Sequence, residues 1–76
     1  MRRAEVILKY TRSEIGVLLH HRDKHAGDLH EAYWMEYPSI AHALEAVADD
    51  LRDGLVEKIT ADGKALAREE IEALTD

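Results

Sequence analysis

Residues 33–51 decide the fold of this chain, and they read Tyr-Trp-Met-Glu-Tyr-Pro-Ser-Ile-Ala-His-Ala-Leu-Glu-Ala-Val-Ala-Asp-Asp-Leu. The aromatic residues at the start are typical of a strand. Pro38 ends that strand, because proline has no N–H to donate to a ladder. Ser39 is a suitable helix N-cap, since its hydroxyl can accept a hydrogen bond from a first-turn N–H. The apolar residues that follow recur at helical spacing; they are Ile40, Leu44, Val47 and Leu51.

The end of this helix has two interpretations. The apolar spacing continues through Leu55 and Ile59, which favours one long helix that tolerates Gly54 at a cost of about 1 kcal/mol. Asp62-Gly63 would then close it. In the alternative, Gly54 is the residue after the helix, and residues 55–60 form a fourth strand. The unbroken apolar spacing leads us to favour the long helix.

The flanking segments predict the other elements. Residues 4–10 and 15–22 alternate in hydrophobicity and are separated by four polar residues, which indicates a β-hairpin. Residues 29–36 begin with a helix-compatible Leu-His-Glu-Ala, but the aromatic residues and Pro38 lead us to expect a third strand over residues 29–37. Residues 65–75 carry a short helical pattern. The fold class expected is therefore α+β, with a three-stranded antiparallel sheet packed by one long helix, plus a short C-terminal helix.

Length and composition limit the protein to one small domain over residues 1–76. A chain this short buries only about 60% of its unfolded surface, and it has no Phe. A homodimer is therefore one way to complete its core. The absence of cysteine excludes disulfides, thiolate zinc sites and thiol catalysis. The apolar run at residues 6–8 is too short for a signal peptide or a membrane span, so we expect a cytoplasmic protein that makes no contact with membranes.

The net charge of −6 lies entirely in the second half of the chain. Residues 1–37 carry six basic and six acidic side chains, whereas residues 38–76 carry four basic and ten acidic ones. This imbalance disfavours direct binding to nucleic acid and suits a basic protein partner. Trp34 would anchor such a partner, because Trp is enriched at binding hot spots. The acidic residues expected to bind it are Asp49, Asp50, Asp53, Glu69, Glu70 and Glu72.

Four histidines lie close together in the first half of the chain, and they are His20, His21, His25 and His30. Imidazole is a good ligand for zinc, nickel and copper, but the spacing matches no metal-binding motif. We therefore assign no metal and no cofactor, and keep a histidine-cluster metal protein as an alternative. The chain also has no phosphate-binding loop and no Gly-x-Ser-x-Gly element, so an enzyme is not expected.

The order of elements resembles the partial RNase-H-like domain of HicB-type antitoxins. The likeness covers roughly residues 4–64 and is carried by Ser39–Val47, with its Ala43-Leu44 pair, and by the Asp62-Gly63-Lys64 turn. The family's proline-glycine-cysteine segment and its C-terminal DNA-binding module are absent from this sequence. The resemblance implies a non-enzymatic partner of a basic toxin.

These observations predict a small acidic protein-binding module that acts as an inhibitor or antitoxin-like partner of a basic protein, a class that includes proteins of phage or mobile-element type. The alternatives are the metal-binding protein and a structural homodimer of unknown role.

Overall fold

The computed structural model describes residues 2–20 and 32–75, and confirms an α+β fold. Its strands form one antiparallel sheet in the order β2-β1-β3-β4. Within the described residues there are thus four strands and three helices, instead of three strands with one long and one short helix. In chain order they are α1 (Arg3–Lys9), β1 (Ile15–His20), β2 (Ala32–Tyr37), α2 (Ile40–Arg52), β3 (Val56–Ala61), β4 (Lys64–Ala65) and α3 (Arg68–Thr75).

The core lies between the sheet and the helices. The central strand β1 supplies alternate buried residues, and α2 supplies its whole predicted apolar stripe. Both α1 and α3 contribute to the same cluster and contact each other. The least exposed large side chains are Ile15, Ile40, Ile59, Leu74, Val6, Val17 and Val47. No helix in the described part of the chain is long and apolar enough to cross a membrane.

The first element is a helix, so the prediction of a strand at residues 4–10 and of a hairpin with β1 is wrong. Helical geometry buries Val6 and leaves Leu8 76% exposed, whereas a strand would have put both on one face. Short apolar runs do not distinguish the two structures by periodicity. Distant contacts stabilise this short helix, as when Arg3 Nη1 donates to the Leu74 carbonyl at 2.9 Å.

The prediction of a helix continuing through Gly54 is also wrong, and the alternative with a further strand is right. Gly54 has a φ of +74°, which favours glycine. Its N–H donates to the Leu51 carbonyl, and the N–H of Leu55 donates to the Asp50 carbonyl. These two bonds form a Schellman motif that ends the helix. Leu55 continues the apolar spacing because such motifs place an apolar residue there.

Asp62-Gly63 is the turn of a β-hairpin and does not close a helix. Both residues have positive φ, 51° and 84°, as a type I′ turn requires. The turn joins β3 to the short strand β4.

The remaining predicted elements are confirmed in type within the described residues. β1 and β2 are paired antiparallel strands, with Val17 opposite Met35. The Ser39 hydroxyl accepts from the His42 N–H at 3.2 Å and caps α2. The C-terminal helix is present as α3, but it begins at Arg68 and not at the predicted residue 65, because Ala65 pairs with Thr60 in the sheet as part of β4. The predicted strand residues 21–22 and 29–31 lie outside the described residues.

Candidate protein-binding surface

The two faces of the sheet differ in how they are covered. On β1, Ile15, Val17 and Leu19 are buried under the helices, whereas the alternate residues are only partly buried. The strand register places residues of β2 and β3 beside these alternate positions. The open face of the sheet, as we call it, comprises Gly16, Leu18, His20, Trp34, Glu36, Lys58 and Thr60.

Trp34 is the largest side chain of the open face, and it is 51% exposed. It lies opposite Leu18 in the register, and its indole extends over Gly16. A β-carbon added to Gly16 would lie 3.5 Å from indole atoms Cε3 and Cζ3, and 2.7 Å from Thr60 Oγ1. The absence of a side chain at Gly16 therefore lets the indole and the threonine approach the backbone of β1.

A depression of about 570 Å³ lies at the end of the open face beside Trp34. Its lining includes Gly16, Trp34 and Thr60, together with residues of the adjoining turns. Its charged lining residues are all acidic: Glu14, Glu36 and Asp62. The arrangement combines an aromatic ring with negative charge, which suits a cationic group.

None of these three carboxylates has an ion-pair partner among the described residues. One Asp62 oxygen accepts from the Glu14 backbone N–H at 3.0 Å, and the Asp62 N–H donates to the Glu14 carbonyl at 2.9 Å. These bonds fix the two backbones where β1 and β3 meet. Among the described residues, Glu14 and Glu36 have no ion-pair partner for their carboxylates. Their charge is therefore available to a ligand.

β2 lies at one edge of the sheet, and it is exposed on both sides. On the side facing the helices, Tyr33 is 38% and Met35 is 41% exposed. Only Tyr37 is partly buried, with its ring centroid 5.9 Å from that of His42 on α2. The helices therefore cover the end of β2 next to α2 and leave its other residues accessible.

The structure separates the acidic residues expected to act together with Trp34. Asp49, Asp50 and Asp53 lie on or next to α2, and Glu69 and Glu72 lie on α3. Both helices cover the opposite side of the sheet from Trp34, so the acidic residues and the tryptophan do not share one surface. Some of this charge is matched locally, because Arg52 pairs with Asp49 and Arg68 pairs with Glu72 at 3.3 Å.

Glu70 lies inside the protein and does not contribute to the acidic surface. It is 3% exposed and accepts from the Tyr10 hydroxyl at 2.8 Å, Lys9 Nζ at 2.9 Å and the Ala67 N–H at 2.9 Å. Glu70 is the third residue of α3, from which a side chain can reach back to the N-cap N–H. The amphipathic spacing of α3 is a signal for the burial of Glu70. Its partners Lys9 and Tyr10 could not be predicted, because their positions depend on residues 3–9 being a helix.

The hydrogen bonds around Glu70 shift the pKa values of this cluster. Burial raises the pKa of Glu70, but the hydrogen bonds from the Ala67 N–H, Lys9 and Tyr10 outweigh it, and its pKa is below the usual value. The pKa of Lys9 is raised, mainly because Lys9 donates a hydrogen bond to Glu70. Burial, and then the hydrogen bond to Glu70, raise the pKa of Tyr10. The cluster holds one buried carboxylate in its charged form and joins α1 to α3.

The histidine cluster falls mostly outside the described residues, since His21, His25 and His30 belong to the segment 21–31. His20 ends β1, and its Nε2 lies 3.4 Å from the Glu57 carboxylate. Among the residues that are described, no three His, Cys, Asp or Glu side chains are arranged to hold a metal ion.

Comparison with known protein families, with curated proteins and with solved structures gives no match.

Proposed function

We propose that this chain is a small non-enzymatic protein-binding module, and that it holds a basic partner on the open face of its sheet. The observation that carries the proposal is the 51% exposure of Trp34 beside a depression whose charged lining is entirely acidic. Tryptophan is among the residues that contribute most to binding energy at protein interfaces. The module would act as an inhibitor or antitoxin-like protein, by occluding the surface that it covers.

The local geometry supports Trp34 as the anchor. Its strand is paired with β1, and its ring lies over Gly16 next to Thr60. An indole positioned in this way loses little conformational freedom when a partner binds, and this reduces the cost of association. The neighbouring Glu14 and Glu36 supply charge that is not neutralised by described residues.

The acidic helices would contribute at longer range. The net charge of −6 attracts a basic protein and raises its association rate. Asp49, Asp53, Glu69 and Glu72 are exposed on the helical side, away from Trp34. In this proposal they steer the partner, and the open face makes the contact.

The experiment is affinity capture of the partner by three forms of the protein: wild type, Trp34→Ala and Leu8→Ala. Leu8 is the matched control because it is also an exposed apolar residue, but it lies on α1. The captured protein is then purified, and its affinity is measured by calorimetry.

Trp34→Ala should weaken binding at least about thirtyfold, as expected for an interface hot spot. Leu8→Ala should leave it unchanged. Equal affinity of the two variants would show that the open face is not the contact surface.

A further inference from the structure

The edge strand β2 has a side along which no other strand pairs within the described residues. A free edge presents backbone N–H and C=O groups to any extended chain, and proteins commonly protect such edges with charge, proline or bulges. Along its length β2 carries one charged residue, Glu36, and no basic residue. Pro38 follows only after the strand has ended. This edge is therefore suited to pairing with an extended segment.

We propose that an extended basic segment of a partner protein adds to this edge of β2 as a further strand. The inference rests on the proposed function and names the chemistry of the partner at the same surface. Strand addition supplies affinity through main-chain hydrogen bonds and specificity through alternate side chains.

The carboxylate of Glu36, on the edge strand itself, determines which side chains the added strand should present on the open face. A residue paired with Glu36 points to the same face, with its β-carbon about 5 Å away. A lysine or arginine at that position reaches the Glu36 carboxylate and the Trp34 ring. The next residue on that face lies opposite Trp34, where a second cation can stack on the indole.

The other side of the added strand faces the helical layer. There it meets Tyr33 and Met35, which are 38% and 41% exposed. Apolar residues at these positions would cover both side chains. The surface therefore selects a segment in which basic and apolar residues alternate.

A second copy of this chain fits the edge less well. Its β2 strand would bring no basic residue to Glu36, and two copies with a net charge of −6 each repel one another. Charge complementarity thus favours a basic segment over a homodimer through this edge.

The test uses dye-labelled peptides of about six residues, the usual strand length, and the full-length protein. One peptide alternates lysine and valine, a second contains the same residues with the lysines grouped together, and a third alternates glutamate and valine. Binding is followed by fluorescence anisotropy. Trp34 is the only tryptophan in the sequence, so its emission reports directly whether the peptide reaches the open face.

The alternating lysine peptide should bind and shift the Trp34 emission to shorter wavelength. The grouped-lysine peptide should bind at least about tenfold more weakly, because its consecutive lysines alternate between the two faces and some of them would face the helical side. Glu36→Gln should weaken binding of the alternating peptide up to about fivefold. Glu45→Gln, which removes an equal charge from the exposed side of α2, should not change it.

Three results would overturn strand addition: equal binding of both lysine peptides, equal loss in the Glu36 and Glu45 variants, or no binding at millimolar peptide. A concentration-dependent dimer that shifts the Trp34 emission without peptide would assign the edge to a second copy. The proposed function is tested separately by capture with Trp34→Ala. If Trp34→Ala loses capture of the partner but the alternating peptide does not bind the wild-type protein, the proposed function stands and only the strand-addition inference is rejected.

Discussion

The indole of Trp34 lies over the backbone of Gly16, so that a β-carbon on Gly16 would be 3.5 Å from two of its ring atoms. The same β-carbon would lie only 2.7 Å from Thr60 Oγ1. Trp34 on β2 and Thr60 on β3 therefore occupy the space beside the backbone of β1 that a side chain at residue 16 would need. This contact places the most exposed aromatic ring of the described residues at the rim of the acidic depression.

We expect Gly16→Ala to lower the free energy of unfolding by about 1 kcal/mol, because the added methyl group forces Thr60 to move. Thr60→Ala removes the atom in conflict, so the loss caused by Gly16→Ala should be smaller in that background. Urea unfolding of the four proteins of this double-mutant cycle measures the coupling, expected to be at least about 0.5 kcal/mol. Additive effects would show that the close approach between residues 16 and 60 is not a constraint.

A second prediction concerns the buried carboxylate of Glu70. Replacing it with Gln should lower the free energy of unfolding at neutral pH by about 1 kcal/mol or more, since charge-assisted hydrogen bonds are lost. The control is Glu72→Gln on the same helix, whose exposed pair with Arg68 should contribute less than about 0.5 kcal/mol.

The effect of Glu70 should depend on pH in a defined direction. Its pKa is lower in the folded protein than its ordinary value of 4.5. Its stabilising contribution is therefore fully present above pH 4.5 and is lost as the pH falls through the folded pKa. The difference between wild type and Glu70→Gln in thermal unfolding should shrink below pH 4.5. A constant difference down to pH 2 would contradict this linkage.

Much of the fold could be predicted because local rules agreed with tertiary structure in the middle of the chain. Ser39 caps α2, the residues of its apolar stripe are buried, and Pro38 follows the end of β2. In contrast, the run Val6-Ile7-Leu8 fits a strand and a helix equally well by pattern. Contacts with residues of α3, which are 71 and 61 residues away along the chain, favour the helix. No local sequence pattern indicates these contacts.

The candidate site was predictable only in part, for a related reason. Trp34 stood out by composition, but its neighbours depend on strand register. Glu36 and Thr60 flank Gly16 only because β1 pairs with both β2 and β3. In the expected hairpin, a residue of the segment 4–10 would have been the neighbour of Gly16 instead of Thr60. A glycine within an alternating strand was the one local signal of a close approach at this point.

The Schellman motif at the end of α2 provides a third prediction. Gly54 has a φ of +74° with no atom within 4 Å of an added β-carbon, so substitution there tests backbone conformation alone. Gly54→Ala should lower the free energy of unfolding by about 1 kcal/mol. Gly54→Asn should cost less, because asparagine adopts positive φ more readily. Equal stability of the alanine variant and wild type in chemical unfolding would argue against the motif.

The last prediction separates steering by the helices from contact through the sheet. Reversing Asp49 and Asp53 to Lys changes charge far from Trp34, so it should slow association with a basic partner and weaken the dependence of that rate on salt. The rate at which the partner dissociates from this variant should be unchanged. Trp34→Ala should have the opposite effect, with faster dissociation and little change in association.

Both rates can be measured by surface plasmon resonance at several salt concentrations, with the captured partner immobilised. Glu5→Lys serves as a charge control, because Glu5 is an exposed acid on α1 and should slow association only in proportion to net charge. Faster dissociation of the Asp49 and Asp53 variant would place the partner on the acidic helices. An unchanged dissociation rate would leave the open face, with Trp34 on its edge strand, as the surface that holds the partner.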